Sequence, residues 1–192
     1  VMAGQGTIAL ELLRQEDRID TIFVPIGGGG LISGIAVAVK SINPRIKVIG
    51  VQACGAAPVY ESFHTKSVKN WNHVSTIAEG IAVKQPGKHT LPIIMKYVDD
   101  VVTVTDEQIA ASILYMLERG KTLIEGAGAA SIAALFAYRD QFKSKHCGVI
   151  VSGGNIDIDE MSRIQKLAGK IRFEKKKFTV KKVEKKELIA AT

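Results

Sequence analysis

The sequence predicts an α/β fold: a twisted, mostly parallel sheet with helices on both faces. Three observations carry that expectation. Short β-branched apolar runs alternate with longer helical stretches, and a run of four glycines closes the first of those strands. The 192 residues are 46% hydrophobic, 23% charged and 6% aromatic, enough to give one full-sized domain a sizeable core. This composition argues against a disordered chain, and the longest apolar runs are too short to span a bilayer. No basic region followed by an apolar stretch opens the chain, so no signal peptide is expected. Two cysteines, Cys54 and Cys147, are too few for a disulfide scaffold or a structural zinc site. The expected setting is reducing and cytoplasmic, with no membrane partner.

Each element follows from local pattern. Residues 19–26 (IDTIFVPI) form a short apolar run that ends in glycines and reads as a buried strand. Residues 31–41 (LISGIAVAVKS) read as an apolar helix stopped before Asn43 and Pro44. Residues 47–53 (KVIGVQA) are a second strand, and a short helix is expected within residues 59–72. Residues 89–97 look helical, with Pro92 in the first turn. Residues 101–105 (VVTVT) are a β-branched strand, after which Asp106 is expected to cap a helix reaching about Gly120. Residues 128–142 are alanine-rich and apolar on most faces, as a buried helix requires. Residues 148–151 are the last strand, and residues 157–167 a helix closed by Gly169.

The net charge of +7 is a matter of position. Residues 170–192 hold nine basic residues against three acids, leaving 17 basic and 16 acidic residues in the body. The chain thus divides into a nearly neutral body, residues 1–169, and a basic tail, residues 170–192, read either as two short edge strands or as a solvated, poorly ordered segment. No aromatic interleaving accompanies the lysines, so no nucleic-acid partner is expected.

Two glycine-bearing loops carry the chemistry. Gly27, Gly28, Gly29 and Gly30 lie between a buried strand and a helix. There the backbone can curl close to a ligand and offer its N–H groups, with a helix N-terminus behind them, to a phosphate. The plain alternative is a tight turn, which needs only one or two glycines. A dinucleotide fingerprint is disfavoured because Ser33 stands where its third glycine belongs and the second strand ends at Gln52, not at an acid. A P-loop is disfavoured because Tyr115 precedes Gly120-Lys121-Thr122 where the first glycine belongs. The second loop, Ser152-Gly153-Gly154-Asn155, follows the last strand, so in a parallel sheet it shares a crevice with the first. Its serine offers a neutral hydroxyl that can pair with a ring nitrogen.

Six segments carry a resemblance: GQGTIALELL (residues 4–13), FVPIGGGGLISGIA (23–36), STIAEGIAV (75–83), VDDVVTVTDEQI (98–109), LIEGAGAASIAAL (123–135) and VIVSGGNID (149–157). In this order they resemble the C-terminal half of the fold-type-II pyridoxal-phosphate enzymes of the threonine/serine dehydratase and serine racemase family. The resemblance implies the large domain of the tryptophan-synthase-β-like fold, with pyridoxal 5'-phosphate as cofactor. It further implies that Gly27, Gly28, Gly29, Gly30 and the backbone of Leu31 bind the cofactor phosphate. Ser152 would hydrogen-bond the pyridine nitrogen, and Asn155 would support that loop. Glu125 would sit near the ring's edge, and Gly80 either lies beside the ring or is an ordinary turn glycine.

The implied reaction is dehydration of threonine or serine to a 2-oxo acid and ammonia. Serine racemisation, β-replacement, or a non-catalytic phosphate-binding remnant are the alternatives. The substrate is then a small amino acid, and the full-length form is expected to be a homo-oligomer. The family's Schiff-base lysine and its Ser/Asn-rich substrate loop have no counterpart here. The resemblance therefore implies a partial chain, inactive alone, with its catalytic lysine unassigned. Some members hold a divalent ion with an acid after the second strand and another six residues on. Gln52 and Pro58 occupy those positions here, so no metal site is expected. The four histidines lack metal-ligand spacing and read as surface residues, while Cys54 and Cys147 read as small core residues.

Overall fold

The structure, a computed structural model, describes residues 1–169 and 171. The expectation of a basic tail therefore falls outside the described residues, Ile171 excepted. Four strands, β1 (Thr21–Pro25), β2 (Lys47–Ala53), β3 (Asp100–Val104) and β4 (Cys147–Val149), form one sheet in the order β3-β2-β1-β4. Every pairing is parallel; Phe23 of β1 stands opposite Ile49 of β2 and Val149 of β4. Alternate β1 residues face opposite sides. Ile22 and Val24 join Ile32, Ile35 and Val39 in one apolar layer, while Phe23 joins Ile109, Ile113 and Ala130 in the other.

Helices cover both layers. On the first lie α1 (Met2–Gln15), α2 (Gly30–Ile42), α3 (Pro58–Thr65) and α4 (Leu91–Tyr97). On the second lie α5 (Asp106–Tyr115), α6 (Gly126–Tyr138) and α7 (Met161–Ala168). The α/β expectation is met, and with it the predicted order of elements from the first strand onward. No helix of the described residues is long and apolar enough to cross a membrane.

The differences have local causes. The α1 helix was not anticipated, because Gly4 and Gly6 weaken its propensity. The two helices nonetheless approach closely there: a Cβ on Gly6 would stand 3.2 Å from the Gly34 carbonyl of α2, and a Cβ on Gly34 would stand 2.8 Å from the Gly6 nitrogen. The cap of α5 is Thr105, not Asp106. Its hydroxyl accepts the Gln108 N–H at 3.3 Å, and the Gln108 side chain accepts the Thr105 N–H at 2.9 Å, a reciprocal capping box. The alanine-rich helix is displaced toward the N-terminus, beginning at Gly126 and ending at Tyr138. Strand β4 stops at Val149, although the Ile150 N–H still donates to the Phe23 carbonyl at 3.0 Å. Cys54 is exposed and so is not a core residue, while Cys147 is half-buried and packs against the core at its edge. Cys54 lies one position past the end of β2, where the sheet no longer covers it.

Candidate functional site

The strand order sets where a ligand can bind. The chain runs outward from β1 to β2 to β3, then returns to place β4 on the other side of β1. That reversal opens a crevice beyond the carboxyl ends of β1 and β4, the usual ligand position in a parallel sheet. Residues 27–30 leave β1 at this point, and Ser152 to Asn155 follow β4.

The glycine loop is shaped for an anion. Gly29 is the N-cap of α2 and has φ +85°, a left-handed conformation that glycine adopts without strain. The first bond of α2 runs from the Ser33 N–H to the Gly29 carbonyl at 3.0 Å. Among the described residues no acceptor takes the N–H groups of Gly28, Gly29, Gly30 or Leu31. Helix starts leave such donors open, and the helix dipole adds positive charge beside them. On Gly28 a Cβ would meet nothing within 4 Å, so the loop is open on that side. These are the properties of a cradle for a phosphate.

The remaining expected residues form one connected wall. A Cβ on Gly27 would stand 3.2 Å from the Gly80 carbonyl, and a Cβ on Gly80 would stand 3.0 Å from the Ala127 Cβ and 3.5 Å from Glu125 Oε1. The Glu125 carboxylate accepts the Asn155 N–H at 3.1 Å, and the Glu125 N–H donates to the Gly153 carbonyl at 3.2 Å. A Cβ on Gly153 would collide with that carboxylate at 2.6 Å. Glu125 thus grips the second loop from both its backbone and its side chain, and Asn155 takes part through its backbone. Leu31 and the exposed Ser152 line a common cleft of about 520 Å³ with Gln5, Val149 and Val151. A larger concavity of about 690 Å³, lined by Trp71, Lys84 and their neighbours, contains none of the expected residues.

Three polar side chains that the sequence did not single out for the site hold these loops. Thr90 Oγ1 donates to the Gly28 carbonyl at 2.7 Å. Gln52 is fully buried between the loop and α3: its Nε2 donates to the Ile26 carbonyl at 3.2 Å, and its Oε1 accepts the Val59 and Tyr60 N–H groups, both at 2.9 Å. Asp106, freed from capping, accepts the Thr76 hydroxyl at 2.5 Å and the Ile77 N–H at 3.2 Å, anchoring the segment that carries Gly80. Asp106 carries a sequence signal of its own, but for a helix start; Gln52 stands in the sequence only as a missing acid.

Comparison with known proteins gives the same direction. A family described as "Pyridoxal-phosphate dependent enzyme" matches residues 1–153. An L-threonine ammonia-lyase of Thermotoga maritima is 45% identical over 164 residues, covering 85% of this chain and 41% of that protein. The processed form of threonine deaminase isoform 2 from Solanum lycopersicum superposes with a TM-score of 0.83 at 37% identity, over 86% of this chain and 46% of that one. Maize serine racemase superposes with a TM-score of 0.77 at 39% identity, over 85% of this chain and 51% of that one. The chain spans about half the length of the curated relatives that it matches.

Proposed function

Because the chain belongs to the pyridoxal-phosphate-dependent enzymes, we propose that it furnishes the phosphate cradle and the pyridine contact of a lyase that converts threonine or serine to a 2-oxo acid and ammonia. The observation that carries this reading is the set of open N–H donors from Gly28 to Leu31 at the start of α2, beside an empty Cβ direction on Gly28. These residues fit a phosphate monoester. The likeness to threonine ammonia-lyase and threonine deaminase supports the reaction.

Bound pyridoxal phosphate supplies an electron sink for the pair released when a bond to the amino acid's Cα breaks. The chain's own groups set how that sink is used. The N–H groups of Gly28, Gly29, Gly30 and Leu31 bind the phosphate, reinforced by the dipole of α2. Ser152 would offer the pyridine nitrogen a neutral hydroxyl. Unlike a carboxylate, it does not hold that nitrogen protonated, which favours rapid loss of a β-hydroxyl over long-lived carbanion chemistry. Glu125 keeps the Ser152 loop in place through the Asn155 N–H. Gly80, lacking a side chain, lets its segment pack closely against Ala127 and Glu125.

Ser152→Ala in the full-length protein, assayed for ammonia and 2-oxo acid from threonine and serine, should lose about tenfold to a few hundredfold in rate, the worth of one polar contact in a dry site. Ser152→Asp should shift turnover toward racemisation or transamination. Unchanged rates and products in both variants would remove Ser152 from the pyridine nitrogen. A wild-type protein releasing no ammonia from either amino acid would sink the lyase reading. The likeness to maize serine racemase favours racemisation of serine as the second reading, and chiral analysis of recovered serine separates the two.

A further inference from the structure

Thr90 opens α4, where its hydroxyl is placed to cap the helix, yet it makes no side-chain cap. Its Oγ1 instead donates to the Gly28 carbonyl at 2.7 Å, with a longer contact of 3.2 Å to the Gly87 carbonyl. Its own carbonyl accepts the hydroxyl of Ser33 at 3.4 Å, and Ser33 is buried in the first turn of α2. A Cβ on Gly29 would stand 2.7 Å from Thr90 Oγ1, so the threonine lies directly against the back of the loop. Ser33 and Thr90 thus tie the loop at Gly28 and the first turn of α2 to the start of α4. Ser33, which departs from the dinucleotide pattern in the sequence, has this tie as its role.

The consequence follows from peptide geometry. No peptide bond in the described chain is cis. In a trans peptide the C=O and the following N–H point in opposite directions across a rigid plane. Fixing the Gly28 carbonyl toward Thr90 therefore turns the Gly29 N–H away from Thr90. That N–H has no acceptor among the described residues. A glycine pair cannot hold this plane by itself, because both neighbours rotate freely. We propose that Thr90 is a positioning residue for the phosphate cradle: its hydroxyl holds the Gly28 carbonyl and so presents the Gly29 N–H to the phosphate.

This inference rests on the glycine loop being a phosphate site, so the experiment separates the two. Affinities for pyridoxal phosphate, inorganic phosphate and unphosphorylated pyridoxal are measured by calorimetry well below the melting temperature, with the ³¹P resonance of the bound cofactor as a second readout. Thr90→Val keeps the shape and removes the hydroxyl. It should weaken both phosphate ligands by about tenfold or more, leave pyridoxal unchanged and move the ³¹P resonance. Thr90→Ser should restore affinity to within about threefold. If Thr90→Val fails to fold, Thr90→Ala gives the same comparison with no added bulk. Wild-type phosphate affinity and an unmoved resonance in the folded variant would leave Thr90 a merely structural residue and overturn the proposal. A wild-type protein that binds pyridoxal phosphate no better than pyridoxal would overturn both the cradle and its positioning residue.

Discussion

Gly28 separates ligand exclusion from protein stability better than any other glycine of the loop. A Cβ there would meet no atom within 4 Å, whereas one on Gly29 would lie 2.7 Å from Thr90 Oγ1 and 2.9 Å from the Ile94 Cδ1, at a φ of +85°. Gly28→Val should therefore change folding stability by no more than about 0.5 kcal/mol, as at an open surface position. Gly29→Val should cost about 1–2 kcal/mol for the left-handed backbone alone, lowering the melting temperature by roughly 2–8 °C. The ordering reverses for ligand. The valine on Gly28 would occupy the open side from which a phosphate reaches the N–H groups. Hydrogen bonds to a charged group are worth about 1.5–3 kcal/mol each, so blocking two weakens pyridoxal phosphate binding about 10²- to 10⁴-fold. Calorimetric titration and a thermal melt on each variant decide the matter. Wild-type affinity in Gly28→Val refutes the cradle; a melting loss in Gly28→Val equal to that of Gly29→Val refutes the reading of open space.

Two further outcomes follow from the packing around the loops. Gln52→Ala strands the Ile26 carbonyl and the Val59 and Tyr60 N–H groups; it should cost about 3 kcal/mol in urea unfolding, and a loss under about 1 kcal/mol would show that the amide ties are dispensable. Burial, and then the nearby charges of Cys54, Tyr60 and Asp100, raise the pKa of Tyr138 above its ordinary value, and its hydroxyl donates to the Thr103 carbonyl at 2.8 Å. A raised folded pKa means stability that is fully present below about pH 10 and lost as pH rises through the folded value. Wild type should therefore exceed Tyr138→Phe by about 1 kcal/mol at pH 8, and the gap should narrow as pH rises past about 10. A gap independent of pH would contradict the burial of the phenol.

Much of this site was legible in the sequence. A continuous apolar run in β1, four glycines after it and a serine–glycine loop after β4 place two loops at one edge of a parallel sheet, and the strand order puts them at the reversal point. What remained hidden depends on contacts between distant segments. Gly6 weakens α1 as a local helix former and earns its place only where α1 crosses α2 beside Gly34. Gln52, noticed because it is not an acid, is a buried amide that spends both its ends on loop and helix backbone. Cys54 follows an apolar run and so reads as core, but the sheet ends one residue before it.

Thr90 and Asp106 show why local pattern alone cannot assign such roles. Each stands where a helix begins and each has a side chain suited to capping it. A cap and a tertiary hydrogen bond are worth a similar amount, about 1 kcal/mol, so residue type and spacing do not choose between them. The fold chooses, and here it spends both on glycine-bearing segments: Thr90 on the Gly28 carbonyl, and Asp106 on the Thr76 hydroxyl and the Ile77 N–H near Gly80. The Glu125 side chain does the same for the Asn155 N–H. There is a common physical reason. Glycine lets backbone approach a ligand closely because it has no side chain, and for the same reason it cannot fasten itself and loses the most conformational entropy when ordered. A cradle made of glycines must be ordered before the ligand arrives if binding is not to bear that entropy cost. The fastening falls to polar side chains from other elements, which act at sequence separations of 30 and 62 residues and leave no periodic trace.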